Sequence, residues 1–403
     1  MTSRINLINY LVQQRNYESY LEITQNGISW EIAHVQCATK RLNFPLSSNE
    51  FFSSHHDFYD IIFIDGLHTE EQVAKDIQHA LQRLKINGMI ILHDCMPPDA
   101  WHQRSYEDYK EGENWNGTVW KAVLREFNRS HYQCTLLDMD WGCGIIDTAN
   151  TQLALNRKMP EELDYSMHYD WLLAYKMGIG EYIRKQVEVF FHLACLGNWQ
   201  EVFGEQMDQL RQNGFNQVRL SVLGTEKELL FALNTLDEQK IKATALFHDT
   251  DLNHFEKPAL LAIENYASSH NGYVLYLHSK GVSNPGDESK GKWRRLMMRE
   301  LVDKWENCVL QLQHYDVIGV DWRDMPPISH FCGNFWYASS KYLRKLADFN
   351  FYYDNPRYRI WDRICDKRLG CEFWISSSKE TPRVLSLVGR NIDFCNPVYW
   401  SDK

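Results

Sequence analysis

The sequence lacks the features that mark secreted or membrane-spanning proteins. No run approaches the ~20 apolar residues that a helix needs to cross a bilayer. The first residues, Met1–Tyr10, have neither the apolar core nor the cleavage site of a secretion signal. The 10 cysteines are scattered without a CxxC pair, which argues against a zinc knuckle or a dithiol redox site. We therefore expect a cytoplasmic protein with free, mostly buried thiols and no membrane span.

An excess of positive charge is also missing. The chain has 43 Lys and Arg against 53 Asp and Glu, a net charge of −10, so its surface repels phosphate backbones and predicts no nucleic-acid partner. Hydrophobic residues make up 44% and charged residues 24%, which is ordinary globular composition. At 403 residues the chain exceeds what one hydrophobic core usually covers, so we expect two domains.

The N-terminal part has the pattern of a parallel α/β sheet. An apolar run at Tyr59–Ile64 is followed by an amphipathic helix over Glu70–Leu84 that ends at Asn87-Gly88, and then by a second apolar run at Met89–Leu92. A shorter strand is predicted at Tyr20–Ile23. Two strands that are apolar throughout, joined by a helix, are typical of a sheet covered on both faces. We predict a Rossmann-like domain over residues 1–150.

Polar residues follow these strands at the edge where such sheets bind ligands. They are Glu22, Asp65, His68, His93 and Asp94. The last four predict either a divalent-cation site or general bases, since carboxylate and imidazole serve both purposes. Asp65 and Asp94 are equally compatible with a role in capping the turns that follow them.

Five motifs of the N-terminal part occur in an order and spacing known from one enzyme family. They are YLEITQNG (Tyr20–Gly27), YDIIFIDGLHTEEQVAKDI (Tyr59–Ile77), NGMIILHDCMPPDAWHQ (Asn87–Gln103), WNGTVWKAV (Trp115–Val123) and DWGCGII (Asp140–Ile146). The region Ile5–Asp147 resembles small class I S-adenosylmethionine-dependent methyltransferases found in polysaccharide and natural-product gene clusters. The resemblance implies S-adenosylmethionine as cofactor, with Glu22, Gly27 and the strand-end residues forming its site.

The cofactor loop departs from the pattern of this family. Thr24 stands where the family has its first glycine, and the acid that holds the ribose after the second strand is missing. The stretch nearest to that acid, His34–Lys40, offers Gln36 or Cys37. Each change is expected to weaken cofactor binding by ~1–3 kcal/mol. The domain is therefore interpreted either as an active methyltransferase or as a retired one.

The C-terminal part contains a second α/β series that follows a helical connector over residues 151–184. The series starts at Val187 and predicts strands at Val218–Leu223, Ile241–Phe247, Tyr273–Leu277 and Asp316–Val320. We predict a second domain over residues 185–403.

The motifs of this second domain also have relatives. They are FFHLACLGNW (Phe190–Trp199), GYVLYLHSKGVS (Gly272–Ser283), KWRRLMMRELVDKW (Lys292–Trp305), YDVIGVDW (Tyr315–Trp322), HFCGNFWYASSKYLRKL (His330–Leu346) and CEFWI (Cys371–Ile375). The region Val187–Trp400 resembles a little-described group of proteins assigned as glycosyltransferases with a GT-A-like fold. The resemblance implies a nucleotide-sugar donor and a glycan acceptor.

Six residues are candidates for catalysis in the second domain: His278, Lys280, His330, Asn334, Glu372 and Asp321. Lys280, helped by Arg294 or Arg295, is predicted to stabilise a leaving diphosphate without metal. The patch around His330 and Asn334 suits contact with a sugar. Glu372, at the start of a predicted apolar strand, competes with Asp321 and Asp316 as the general base.

The pair Asp249 and Asp251 has the Asp-x-Asp spacing of a metal site, but a polar turn has the same composition. Three functions stay open. The favoured one is a glycosyltransferase fused to a methyltransferase-like domain that has lost activity. The alternatives are an active O-methyltransferase that acts on a sugar presented by the C-terminal domain, and a non-catalytic glycan-binding or assembly protein.

Overall fold

The computed structural model describes residues 3–25, 29, 32–284, 286–326, 328–354 and 367–389. The chain divides into two compact units, unit 1 (Met1–Tyr182) and unit 2 (Ile183–Lys403). None of the described helices is long and apolar enough to cross a membrane. The eight cysteines among the described residues are free thiols.

Unit 1 is a mixed sheet covered by helices. Its strands are β1 (Ser19–Thr24), β2 (Thr39–Leu42), β3 (Tyr59–Asp65), β4 (Leu84–Leu92), β5 (Tyr132–Leu137), β6 (Cys143–Thr151) and β7 (Lys176–Met177). Its helices are α1 (Arg4–Arg15), α2 (Ser48–Ser54), α3 (Glu70–Leu81), α4 (Val119–Arg129), α5 (Tyr165–Leu173) and, at the division between the units, α6 (Ile179–Arg184).

The sheet of unit 1 has the order β2-β1-β3-β4-β6-β5-β7. Strands β1 to β4 are parallel, and β6 runs antiparallel to both β4 and β5. The chain goes from β1 to β2 on one side and returns to β3 on the other side of β1. This reversal is the topological switch point at which open α/β sheets bind ligands. The predicted Rossmann-like α/β fold is confirmed.

One boundary in unit 1 differs from the prediction. Helix α3 ends at Leu81, and residues from Leu84 onward already belong to β4. Gly88 is therefore a strand residue rather than a helix cap. A Cβ at Gly88 would lie 2.8 Å from the carbonyl oxygen of Asp60 on β3, so the close approach of the two strands requires glycine here.

Most of the segment predicted as a connector over residues 151–184 belongs to unit 1, which ends at Tyr182. Tyr165 and Tyr169 of α5 pack edge-on against Trp120, with ring centroids 5.8 and 5.6 Å away. Strand β7 pairs with β5 and extends the sheet. This packing could not be predicted from the sequence because it joins residues that are about 40 to 50 positions apart.

Unit 2 is a second α/β layer structure. Its strands are β8 (Val187–Ala194), β9 (Gln217–Leu223), β10 (Lys242–Asp249), β11 (Tyr273–His278), β12 (Val317–Gly319), β13 (Trp322–Arg323), β14 (His330–Phe331), β15 (Trp336–Ser339) and β16 (Val384–Ser386). Its helices are α7 (Trp199–Gln212), α8 (Glu226–Glu238), α9 (Lys257–Ser269), α10 (Glu288–Met298), α11 (Trp305–Gln311), α12 (Ser340–Leu343), α13 (Phe349–Asp354) and α14 (Lys367–Phe373).

The main sheet of unit 2 has the order β10-β9-β8-β11-β15-β12-β16. Strands β8 to β11 are parallel, and β15 runs antiparallel to β11 and β12. The chain moves from β8 outward to β10 and then returns to β11 on the other side of β8. Unit 2 therefore has its own switch point, between the carboxyl ends of β8 and β11.

Candidate functional sites at the carboxyl edges of the two sheets

In unit 1 the structure brings together four predicted residues at the ends of β3 and β4. Asp65 ends β3, and the Nε2 atom of His68 lies 3.2 Å from its Oδ1 and 3.5 Å from Oδ2 of Asp94. The Nδ1 atom of His93 lies 3.1 Å from Oδ2 of Asp94 and 3.4 Å from Oδ1 of Asp65. We call these four residues the Asp/His cluster.

The loop after β4 fixes the orientation of His68. Its Nδ1 atom donates to the carbonyl of Trp115 at 3.0 Å, and the Trp115 indole stacks against the imidazole. Gly117 has φ +59°, and a Cβ there would lie 2.0 Å from the carbonyl oxygen of His68. The WNG motif therefore serves to bring the main chain against His68.

Two further residues hold His93 from its other side. The main-chain N–H of Arg4 donates to Asp140 at 2.8 Å, and the Arg4 guanidinium lies 3.4 Å from Nε2 of His93. Oδ1 of Asp140 is 3.8 Å from the same nitrogen. The imidazole of His93 thus stands between Asp140 and the pair formed by Asp65 and Asp94. Asp140 is the first residue of the DWGCGII motif, but the sequence did not predict its contact with His93.

The carboxylates around His68 and His93 favour the charged forms of these two histidines. Burial alone would lower the pKa of His68 and His93, but hydrogen bonds and charges from Asp65 and its neighbours outweigh it and raise both. Burial would raise the pKa of Asp65, and the two imidazoles lower it instead. The hydrogen bond from His93 lowers the pKa of Asp140.

The donor set of this cluster suits a divalent cation. One ligand atom each from Asp65, His68 and Asp94 lie within 4.8 Å of one another. Two carboxylates and an imidazole are ligands that Mn²⁺ and related ions accept. The carbonyl of Trp115 holds the proton of His68 on Nδ1, which directs Nε2 toward the carboxylates. The residues therefore fit a cation with its second shell in place.

The neighbouring strand end carries the residues expected at the cofactor. Glu22 is buried in β1, where its carboxylate accepts a hydrogen bond from the Tyr20 hydroxyl at 2.7 Å. Gly27, predicted to contact the cofactor, lies outside the described residues. Strand β2 begins only at Thr39, so Gln36 and Cys37 precede it and do not occupy the position of the missing acid.

The residue after β2 is Asn43, which sequence reasoning missed. Its side-chain oxygen accepts from the main-chain N–H of Thr24 at 2.8 Å, and its amide nitrogen donates to the carbonyls of Thr24 and Leu46. Asn43 therefore ties β1 to the loop after β2 at the position where the resemblance implies a ribose-binding acid.

Unit 2 has a cleft of about 400 Å³ at the carboxyl ends of β8 and β11. The cleft includes the predicted residues His278 and Lys280. Its other charged or ring-bearing lining residues are His192, Phe255, Glu256, Lys290, Trp293 and Arg368. Three cations from separate segments thus face one cavity at the switch point of the sheet.

Of the predicted cations, only Lys280 lines this cleft. Lys280 lies over the Trp293 ring at 4.6 Å. Arg294 donates to the Lys280 carbonyl and to Glu205 at 2.7 Å, so it supports the loop from behind. Arg295 also faces Glu205, at 4.0 Å. Neither arginine lines the cleft.

Glu256 is the acid of the cleft, and no pattern along the chain pointed to it. Its Oε2 atom accepts from the Tyr276 hydroxyl at 2.8 Å and from the amide of Asn334 at 2.5 Å. Asn334 is itself fixed by the indole N–H of Trp336 at 2.9 Å. The preceding residue, Phe255, has φ +47°, a strained conformation of the kind concentrated at functional sites. Asn334, predicted to contact substrate, therefore supports Glu256.

The two histidines of the cleft are neutral. Nε2 of His278 donates to the Gly333 carbonyl at 2.8 Å. Burial lowers the pKa of His278 to about 3 and that of His192 to about 4. Both imidazoles are thus available as uncharged polar groups at neutral pH.

The remaining predicted residues of unit 2 lie apart from the cleft lining. His330 contacts the carbonyl of Ile328 and packs against Phe373. Asp321 is fully buried and paired with Arg323 at 2.9 Å. Glu372 lies on helix α14, not at the start of a strand as predicted. A short apolar run such as CEFWI does not distinguish strand from helix.

The Asp-x-Asp pair lies at the end of β10 and in the turn that follows it. Asp251 accepts from the main-chain and side-chain nitrogens of Asn253, and Asp249 faces His254 at 3.4 Å. Metal binding by this pair stays a prediction.

Comparison with known proteins divides the chain in the same way. Residues 12–95 match the model of a family described as a methyltransferase domain, and residues 190–377 match a domain of unknown function, DUF8361. No curated protein matches the chain.

The chain is similar to three solved structures at low identity. A Staphylococcus aureus protein assigned as a caffeoyl-CoA O-methyltransferase is 20% identical, covering 36% of this chain and 85% of its own, with a TM-score of 0.26. HddC from Yersinia pseudotuberculosis is 10% identical, covering 53% and 97%, with a TM-score of 0.26. Phosphoethanolamine N-methyltransferase 1 of Haemonchus contortus, solved with phosphoethanolamine and S-adenosylhomocysteine, is 10% identical, covering 83% and 91%, with a TM-score of 0.23.

The family match contains β1 to β4 and therefore the whole Asp/His cluster. Unit 1 thus contains a methyltransferase domain with a Rossmann-like fold, and unit 2 is a second α/β domain.

Proposed function

We propose that unit 1 transfers a methyl group from S-adenosylmethionine to a hydroxyl group of an acceptor bound at the Asp/His cluster. The observation that carries this proposal is the cluster itself. Asp65, His68 and Asp94 place their ligand atoms within 4.8 Å of one another at the carboxyl edge of the sheet, in the region that matches a methyltransferase domain. A domain retired from catalysis has no evident use for such a concentration of partly buried charge.

The residues of the cluster have distinct roles in this proposal. Asp65, His68 and Asp94 would hold a divalent cation, which would lower the pKa of the acceptor hydroxyl. His93 stands 3.1 and 3.4 Å from two carboxylates and has Asp140 behind it. A cation held by Asp65 and Asp94 would offset the negative charge that raises the pKa of His93. The neutral imidazole would then be placed to take up the hydroxyl proton. Asn116 fixes Asp94 through a hydrogen bond of 2.8 Å.

An exposed aromatic wall beside the cluster suits the acceptor. Trp141 follows Asp140 directly and is 44% exposed, with φ +61°. Its main-chain carbonyl accepts from Met96 N–H at 2.8 Å, so the turn is fixed. His102 lies 5.7 Å from the Trp141 ring. An open indole face with polar neighbours favours a ring that is apolar on its face and polar at its rim, as a sugar is.

The methyl donor would lie at the ends of β1 and β2. S-adenosylmethionine supplies the methyl group on a sulfonium centre. Glu22 is in place for it, whereas the amide of Asn43 is engaged with the main chain of Thr24 and Leu46. We therefore expect weaker binding than in a site with a ribose-binding carboxylate.

Isothermal titration of the full chain with Mn²⁺ and with S-adenosylmethionine tests this function. We expect Mn²⁺ binding to the wild type and a loss of at least ~100-fold in Asp65→Asn, because the ligand charge is removed. Asp99→Asn is the matched control, since Asp99 pairs with His102 outside the cluster. Absence of S-adenosylmethionine binding at millimolar concentration, with or without Mn²⁺, would rule out methyl transfer.

A second candidate function is sugar transfer by unit 2, and the three cations of its cleft favour it. Lys280, Lys290 and Arg368 line one cavity of about 400 Å³. Such a cavity suits the diphosphate of a nucleotide sugar, whose leaving charge the ammonium groups would stabilise. Glu256 lines the same cavity and is the acid best placed to accept a proton from an acceptor hydroxyl.

A thermal-shift screen with UDP, GDP, CMP and dTDP tests this candidate. A nucleotide at 100 times its dissociation constant adds about 2.7 kcal/mol to the stability of the folded chain. We expect one nucleotide to raise the melting temperature, and Lys280→Gln to remove most of the shift. Lys292→Gln, on the exposed side of α10, is the control. If no nucleotide raises the melting temperature, and if the titrations detect no binding of Mn²⁺ or S-adenosylmethionine, the non-catalytic interpretation is preferred.

A further inference from the structure

The two sheets have four edges, and one edge differs from the other three. Strand β2 has 4 residues, β7 has 2 and β16 has 3, whereas β10 has 8. Exposed edge strands offer unpaired N–H and C=O groups, and proteins normally keep them short or charged. Strand β2 follows this rule with exposed Lys40 and Arg41. Strand β10 is long.

The interior of β10 also lacks charge. Residues Ala243–Phe247 contain no charged side chain and no proline, and Thr244 and Ala245 are exposed. Within the described part of the chain, β10 pairs with β9 alone. A bulge between Ala245 and Phe247 lies in that ladder. The outer edge of β10 is therefore a row of backbone groups open to pairing.

Apolar surface flanks this edge on both faces of the sheet. On the side of α9, a groove of about 370 Å³ is lined by the apolar residues Leu246, Phe247, Pro258, Leu261 and Ala262 together with His254, Lys257 and Asn265. On α8, Leu230 is 59% exposed and Phe231 is 42% exposed. Exposed apolar residues gathered around an open strand indicate a covered surface rather than a solvated one.

The charges at the two ends of β10 favour a second copy of this chain as its pairing partner. The strand begins with Lys242 and ends with Asp249. Antiparallel pairing of two copies brings the basic end of each strand to the acidic end of the other, whereas parallel pairing sets like charges side by side. Antiparallel pairing about a two-fold axis also closes the interface on itself. We propose that β10 of one chain pairs antiparallel with β10 of a second copy, which joins the sheets of two unit 2 domains.

Size-exclusion chromatography with light scattering on the full chain tests this pairing. We expect a mass twice that of the 47.7 kDa chain at ~50 µM, with dissociation on dilution. Ala245→Lys places two like charges near the two-fold axis and should give single chains. Thr39→Lys adds the same charge to the edge strand β2 and should leave the dimer intact. Circular dichroism melts of both variants show whether each one is folded.

A charge exchange across the interface gives an independent test. Lys242→Glu alone should weaken the dimer by about tenfold, since each dimer contains the contact twice. The double variant Lys242→Glu/Asp249→Lys should restore it. A wild-type chain that stays single at ~100 µM, or a dimer that folded Ala245→Lys leaves unchanged, would overturn the proposal.

Discussion

The two units place their candidate sites at the same edge of similar sheets, yet they equip them with different charged groups. The Asp/His cluster lies at the carboxyl ends of β3 and β4, one strand beyond the reversal of strand order between β1 and β3, and the cleft of unit 2 lies at the reversal between β8 and β11. Unit 1 fills that edge with carboxylates and imidazoles, which suits a cation. Unit 2 fills it with Lys280, Lys290 and Arg368, which suits an anion. Topology thus determines where a ligand binds, and the side chains at the strand ends determine its charge.

The histidines sharpen this contrast. His68 and His93 in unit 1 and His192 and His278 in unit 2 are all buried or nearly so. In unit 1, carboxylates 3.1 to 3.5 Å away raise the pKa of both histidines. In unit 2 the carboxylate nearest to His278 is Glu256 at 4.0 Å, and burial lowers the pKa. Burial therefore lowers the pKa of the histidines in both units, and close carboxylate partners reverse this shift in unit 1.

The largest expected effect on ligand binding comes from a change in the backbone of the unit 1 site. Gly117→Ala puts a Cβ 2.0 Å from the carbonyl oxygen of His68, so the loop that fixes this ligand must move. We expect the affinity for Mn²⁺ to fall about 10- to 100-fold, which calorimetry would measure. Gly112→Ala is the matched control, because Gly112 also has positive φ but has nothing within 4 Å of an added Cβ. Equal loss in both variants would contradict the proposed role of this contact.

The second effect concerns the acid of the unit 2 cleft. Glu256→Ala leaves the Tyr276 hydroxyl and the Asn334 amide without their buried acceptor. We expect the free energy of unfolding of unit 2 to fall by about 3 kcal/mol. Urea unfolding followed by tryptophan fluorescence measures it. Glu380→Ala removes an exposed ion pair with Lys345 and should change the stability by less than ~0.5 kcal/mol.

Each histidine of the unit 2 cleft should give a smaller effect, a loss of stability at acidic pH that is confined to unit 2. A buried histidine with a lowered pKa stabilises the fold above its unfolded pKa of about 6.5 and loses that contribution as pH falls toward the folded value. With folded pKa values of about 3 and 4, His278 and His192 should each remove about 2 kcal/mol from unit 2 between about pH 7 and pH 5. The histidines of unit 1 have raised pKa values, so they cause no such loss. Hydrogen exchange at both pH values should show unit 2 opening selectively in the more acidic buffer.

The smallest effect concerns the end of β2. Asn43→Asp restores the acid of the family pattern, but a carboxylate cannot donate to the carbonyls of Thr24 and Leu46. We expect unit 1 to lose about 1–2 kcal/mol of stability. Thermal melts with and without S-adenosylmethionine would measure this loss. An unchanged or higher melting temperature for Asn43→Asp would show that the amide donors are dispensable.

The sequence by itself determined the elements and the residues at their ends. Apolar runs specified β3, β4, β8 and β11, because a strand buried on both faces is mostly apolar. Parallel strands bring their carboxyl ends to one edge, so Asp65, His68, His93 and Asp94 were identifiable from chain position alone. The same argument located His278 and Lys280.

Only the tertiary structure decided which distant groups complete the two sites. Arg4 and Asp140 meet His93, and Asn334 meets Glu256, although these partners lie far apart along the chain. Arg294 turns toward Glu205 and away from the cleft. Hydrophobic periodicity does not predict such contacts. It indicates which face of a helix or strand is buried, but not which residues pack against that face. The sequence indicates the charged residues near each site, but the packing of the fold determines which of their side chains meet there.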